Sequence, residues 1–230
     1  MLIGPQNLTL HVNHVRSRIR GAAIAAGRDP NSVILVAVTK AKPAESVRLA
    51  ASAGVTDFGE NYLQEAEVKM DRLADLKLRW HFIGGIQSNK TRAIAERFDW
   101  VQSVDRFSVA RRLSEQRPFH APPLNVCIQV ALVPEPNKGG VPPDGLAELA
   151  AAMAGLPRLS LRGLMCVPPP QPNAAAERTV FARLRAALED LNAGGLKLDT
   201  LSMGMSGDFE SAIAEGATLV RIGTALFGAR

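Results

Sequence analysis

Cysteine is scarce in this sequence: Cys127 and Cys166 are the two in 230 residues. Neither has a Cys-x-x-Cys partner, and both sit inside apolar, strand-like runs. A disulfide-stapled fold is not expected, and reduced core thiols in a cytoplasmic protein are. Aromatics make up 5% of the chain, with a single tyrosine. Stacking platforms for single-stranded nucleic acid are therefore disfavoured. Long apolar runs are missing as well. The densest, Val33 to Val38 and Ala22 to Ala26, fall far short of the roughly 20 residues a spanning helix needs. The first residues lack a basic segment followed by an apolar one, so no signal peptide is expected. His11, His14, His81 and His120 show no metal-ligand spacing with cysteines or carboxylates. His11 and His14 are expected to face solvent. No Gly-x-Ser-x-Gly elbow occurs.

What is present is ordinary globular material: 47% apolar and 21% charged residues, without low-complexity tracts or repeats. The net charge of +5 is spread along the chain rather than gathered in a block. It favours anionic partners such as phosphates or nucleic acid, against the plainer reading of a soluble, mildly basic surface. Leu8 to Ala26 carries apolar residues at helical spacing and stops at Gly27. Val33 to Thr39 is a continuous apolar run, which suits a strand buried on both faces. Pro43 and Glu45 suit the first turn of a helix ending near Ala53. Strands are then expected at Val55–Phe58, Arg79–Ile83, Trp100–Val104, Leu124–Leu132, Leu159–Val167, Leu198–Met203 and Ala217–Ile222. Helices fall between them at Asn61–Leu73, Lys90–Phe98, Arg106–Gln116 (capped by Asp105), Asp144–Ala154, Ala174–Asn192 and Asp208–Ala214. Strict alternation implies a parallel sheet, and eight units imply a closed (β/α)8 TIM barrel spanning 1–230 as a single domain. The extra N-terminal helix would pack outside the barrel or across its bottom. A doubly wound open sheet is the alternative.

Active sites of such barrels lie at the carboxyl ends of the strands. Lys40 stands there, closing an almost wholly apolar strand. A lysine held in partly desolvated surroundings is a nucleophile suited to an aldehyde, while one at a strand end can also simply snorkel to solvent. The loops after strands seven and eight often hold phosphate. Here they offer Ser206-Gly207 and Gly223-Thr224, which also read as plain turn chemistry. Together with Lys40 they suggest a phosphorylated aldehyde across the mouth, and pyridoxal 5′-phosphate fits. Arg221 lies within the last strand, where a charge needs a partner. It could face the pyridine nitrogen of that cofactor or pair with a core carboxylate such as Glu60. Gly84-Gly-Ile-Gln-Ser-Asn-Lys90-Thr91 nearly matches a phosphate-loop pattern, but Asn89 replaces its second glycine and no later strand supplies the magnesium aspartate.

Several segments resemble the YggS/PROSC-type pyridoxal phosphate homeostasis proteins. They are Val36-Ala-Val-Thr-Lys40, Phe58-Gly-Glu-Asn-Tyr62, Trp80-His-Phe-Ile-Gly84, Gln87-Ser-Asn-Lys90 and Ser103-Val-Asp105. Further on come Lys138-Gly139, Gly163-Leu-Met165, Leu201-Ser-Met-Gly-Met-Ser206, Val220-Arg-Ile-Gly-Thr224 and Phe227-Gly228. The resemblance covers about 33 to 228 and implies a barrel like the N-terminal domain of alanine racemase. It implies pyridoxal 5′-phosphate as a Schiff base on Lys40, phosphate contacts near Ser206, Gly223 and Thr224, and Arg221 beside the pyridine nitrogen. Asn61, His81 and Met203 would line the pocket. Two departures stand out. Gln102 replaces the usual histidine before Ser103, and prolines occupy the strand-five loop at 133–137.

The resemblance also implies a role in cofactor homeostasis and delivery to pyridoxal-phosphate-dependent apo-enzymes rather than a defined turnover. An arginine at the pyridine nitrogen disfavours its protonation and weakens the ring as an electron sink. No residue stands out as a second base opposite Lys40. A binding and delivery protein, monomeric and without a membrane partner, is therefore the expectation. A weak racemase or lyase using Lys40 alone is the alternative.

Overall fold

The computed structural model describes residues 5–133 and 139–228. Eight strands form a closed parallel barrel in sequence order. They are β1 (Ile34–Val38), β2 (Asp57–Glu60), β3 (Arg79–Phe82), β4 (Trp100–Val104), β5 (Leu124–Gln129), β6 (Leu159–Met165), β7 (Thr200–Ser202) and β8 (Leu219–Ile222). Pairing of β1 with β8 in parallel register, Val36 opposite Arg221, closes the ring and excludes the open sheet.

The helices between them are α2 (Ala44–Ser52), α3 (Leu63–Arg72), α4 (Thr91–Arg97), α5 (Phe107–Gln116), α6 (Leu146–Ala154), α7 (Ala174–Ala193) and α8 (Phe209–Ala214). They follow α1 (Pro5–Ala25), and a last turn, α9 (Thr224–Phe227), follows β8. The apolar stripe of α1 is its buried face: Leu8, Val12, Val15, Ile19 and Ala23 are all at most 3% exposed. Each such burial contributes about 1.5–3 kcal/mol for the larger side chains. That stripe packs on the outside of the barrel, against α2, α8 and α9. Gly27 ends the segment at φ +68°.

The side chains divide by strand parity. Val36, Trp100, Cys127, Met165 and Leu219 form a small apolar cluster inside the barrel. Their alternates, among them Ala37, Phe58, Val101, Val126, Leu164 and Val220, join the larger core shared with the helices. Cys127 and Cys166 are both free and buried, and burial pushes each thiol up to about 12.

Some local expectations need correction. Asp105 does not cap α5. The N-cap position is Arg106, no side chain caps the helix, and the Asp105 carboxylate takes the Arg106 guanidinium instead. His11 is half-buried, with Nδ1 at 2.9 Å from the Leu226 carbonyl oxygen, because α1 lies against the last turn. His14 is exposed. Strand five stops at Gln129, where the chain turns to pair with its own returning segment: the Ala131 N–H donates to the Val141 carbonyl and the Val141 N–H to the Gln129 carbonyl. The Pro-rich loop before Lys138 lies mostly at 134–138, outside the described residues.

Candidate functional site

Lys40 follows β1 directly and is half-buried. Its neighbours fix its backbone. Thr39 is fully buried, its hydroxyl donating to Glu60 Oε1 at 2.5 Å and its carbonyl accepting from Lys69 Nζ at 2.7 Å. Lys69 also meets Glu60 Oε1 at 2.6 Å. Burial raises the Glu60 carboxyl, against the pull of Lys69 and Thr39. On the other side Ala41 adopts φ +57°, a costly conformation for a residue with a Cβ. Its N–H donates to Glu65 Oε2 at 2.9 Å, which supports the turn. Lys40 thus leaves a strand end pinned on both sides.

A cavity of about 330 Å³ opens at the carboxyl ends of the strands. Lys40, Asn61, Ser206, Arg221, Gly223 and Thr224 all line it. The loops that carry them are shaped by two glycines. Gly204 sits at φ +92°, with the Ala212 Cβ only 2.7 Å from where its own would stand. Gly84 lets the chain pass Asn61, whose carbonyl oxygen would lie 2.1 Å from an added Cβ. Beyond Gly204, the Met205 N–H donates to Asp208 Oδ1 at 2.6 Å. The Asp208 carboxylate thereby closes this turn, and no side-chain bond caps α8. Burial raises its carboxyl above the usual range. Ser206 Oγ accepts from the Ala225 N–H at 3.2 Å, which ties the two glycine-rich loops together.

Arg221 enters from β8 and is 4% exposed. Its partners are not carboxylates. Nη1 donates to Ser202 Oγ at 2.5 Å and Nη2 to the Cys166 carbonyl at 2.7 Å. Glu60 faces away from the barrel interior, toward Lys69, so the pairing of Arg221 with Glu60 is excluded.

Two expected lining residues do not reach the cavity. His81 points inward but one layer deeper, with no exposed surface. Nε2 lies 3.1 Å from Asp57 Oδ1, and the ring stacks on Trp100. Met203 has the opposite parity to Ser202, so its side chain belongs to the core between barrel and helices. Sequence reasoning in turn missed Asp57, Lys69 and Ser202 as buried polar groups around the site, took Glu60 only as a possible partner of Arg221, and took Gln102 only as a departure from the family pattern. Their common signal was a polar residue inside an otherwise apolar strand or helix face.

A closed parallel barrel with a lysine at the end of its first strand, facing two glycine-rich loops, defines the class. The family model of the alanine racemase N-terminal domain matches residues 10–230. The chain belongs to the pyridoxal phosphate homeostasis protein family. It is 62% identical to the pyridoxal phosphate homeostasis protein of Pseudomonas aeruginosa, over 96% of this chain and 94% of that protein. It is 48% identical to that of Escherichia coli K12, over 94% of each chain. PipY of Synechococcus elongatus PCC7942, solved with PLP bound, superposes with a TM-score of 0.86 at 38% identity. That match covers 96% of this chain and all of PipY. Among the described residues, no helix is long and apolar enough to cross a membrane, and no cluster of three His, Cys, Asp or Glu is arranged to hold a metal.

Proposed function

We propose that this chain binds pyridoxal 5′-phosphate covalently through Lys40 and acts in cofactor homeostasis, supplying apo-enzymes in the cytoplasm as a single barrel unit. The observation that carries this reading is the convergence on one cavity of six residues from the ends of four strands: Lys40, Asn61, Ser206, and Arg221 with Gly223 and Thr224. The residues fit the group. The cavity lies at the lower end of the usual range for small-ligand sites, about 300–1,000 Å³. The Asn61 amide oxygen is buried there without a protein partner.

When bound, the cofactor supplies an aldehyde to the amine and an electron-withdrawing ring. Lys40 offers the attacking amine from a fixed strand end. Ser206, Gly223 and Thr224 would hold the phosphate with hydroxyls and closely approaching backbone. Arg221 would present donors to the ring nitrogen. Because a guanidinium has no acceptor, it favours an unprotonated ring nitrogen. Among the described residues lining the cavity, Lys40 is the proton-transfer group. No carboxylate, imidazole or phenol accompanies it. That supports carriage over turnover, because racemisation needs a second acid/base group on the other face.

The test is the visible spectrum of protein mixed with pyridoxal 5′-phosphate, before and after borohydride. A band that disappears on reduction, with the label located on Lys40 by peptide mass, is expected. Lys40→Ala should lose band and label while keeping its melting temperature. A label on another lysine, or an undiminished band in the variant, would refute the assignment.

A further inference from the structure

Beneath the cavity floor, five side chains from five strands form one hydrogen-bonded chain across the barrel interior. Arg221 Nη1 donates to Ser202 Oγ at 2.5 Å. Ser202 Oγ donates to Gln102 Oε1 at 2.6 Å. Gln102 Nε2 lies 2.9 Å from His81 Nδ1, and His81 Nε2 lies 3.1 Å from Asp57 Oδ1. All five residues are at most 4% exposed.

The two ends fix the direction of every bond between them. Asp57 is held ionised by Arg79, which donates to both of its oxygens at 2.7 Å, and by the Thr56 hydroxyl. An ionised carboxylate only accepts, so His81 carries its proton on Nε2. Its Nδ1 is then a lone pair and needs the Gln102 amide N–H. That turns the Gln102 carbonyl toward Ser202 and draws the hydroxyl hydrogen to it. Ser202 is left with lone pairs facing Arg221, which can only donate. Reversing any link would set two lone pairs or two hydrogens against each other. Aligned links of this kind polarise one another.

We infer that Gln102 is a positioning residue: it passes the polarity set by Asp57 to Ser202, and so holds the Arg221 guanidinium as a fixed donor at the ring-nitrogen end of the cavity. This rests on the site reading above. The role needs a group that accepts from Ser202 and donates to His81 at once. A glutamine does both, and so does a neutral imidazole. A leucine, of similar bulk, can do neither, and a glutamate can do both only while it holds a proton.

The experiment uses the full chain. In cofactor-free wild type, nitrogen NMR of the imidazoles should show His81 as a single neutral tautomer protonated on Nε2. The Nδ1–H tautomer would overturn the inference without any variant. Pyridoxal 5′-phosphate affinity is then measured for Gln102→Glu, Gln102→Leu and Gln102→His. Losing the links to Ser202 and His81 should weaken binding about tenfold in Gln102→Leu, and in Gln102→Glu at a pH that ionises its carboxylate. Gln102→His should bind as wild type does. Binding by Gln102→Leu equal to wild type would overturn the inference, because packing alone would then suffice. Failure of the site reading shows separately, as a borohydride label that is not on Lys40, and leaves the tautomer result standing.

Discussion

The inside of the barrel and the layer between barrel and helices are built from the same strands, yet differ in chemistry. The outer layer is almost wholly apolar, filled by residues such as Phe58, Phe98, Leu113 and Phe181. Its prominent polar feature is the Lys69–Glu60 pair beside Lys40. The interior holds only a small apolar cluster, and a chain of polar side chains crosses it from Asp57 to Arg221. Apolar packing is non-directional, so the outer layer can stabilise the fold without specifying any one orientation. Hydrogen bonds are directional, and an unmade one is costly, so the interior specifies where Arg221 points.

The largest effects should come from the outer layer. Phe98 is 1% exposed and meets Phe82 edge to face, with ring centroids 5.3 Å apart. Phe98→Ala should cost about 3–5 kcal/mol in urea denaturation, from lost burial and the cavity left behind. Lys69→Met leaves Glu60 buried without its cation and should cost a similar amount, about 3–5 kcal/mol. The double change with Glu60→Leu should recover most of that loss, since apolar groups can replace a buried pair at little cost. A double variant as unstable as the single would show that the pair itself, rather than its disruption, matters.

The interior should respond less in stability and more in binding. Ser202→Ala leaves an Arg221 N–H unpaired, costing about 1–3 kcal/mol of stability. Pyridoxal 5′-phosphate affinity should fall with it, whereas Phe98→Ala should leave the affinity of the folded protein unchanged. Equal loss of affinity in both would erase the distinction between the regions.

The smallest effect is a pH dependence of denaturation. Burial alone would raise the Asp57 carboxyl, but bonds from His81, Arg79 and Thr56 outweigh it and hold it well below the usual range. Its contribution is present above its unfolded value of about 3.9 and is lost as pH falls below that. Burial pushes the His81 imidazole down as well. The unfolded chain therefore takes up a proton below about pH 6.5 that the folded chain refuses, which begins an earlier loss. Urea midpoints should decline in these two stages, and Asp57→Asn should shrink the lower one, leaving the part carried by Asp75 and Asp199.

Much of this was legible beforehand. The alternation of apolar strands with amphipathic helices gave eight units in order, because burial on both faces leaves a period that survives without neighbours. The position of Lys40, Ser206, Gly223 and Thr224 around one cavity was readable because barrel strand ends converge on one face. His81 and Met203 were misplaced because position near the mouth does not say how deep a side chain lies or which face it takes. Asp105 was misread because an arginine beside it took its carboxylate.

The sequence by itself determined the elements, their order and the loops that line the cavity, since those depend on local periodicity and turn chemistry. Only the tertiary structure decided which polar residues meet. Asp57, His81, Gln102, Ser202 and Arg221 lie on five strands and span 165 positions from first to last (221 − 57 + 1). Closing the barrel with Val36 opposite Arg221 sets the register that puts them in one line, and no local pattern encodes that registration.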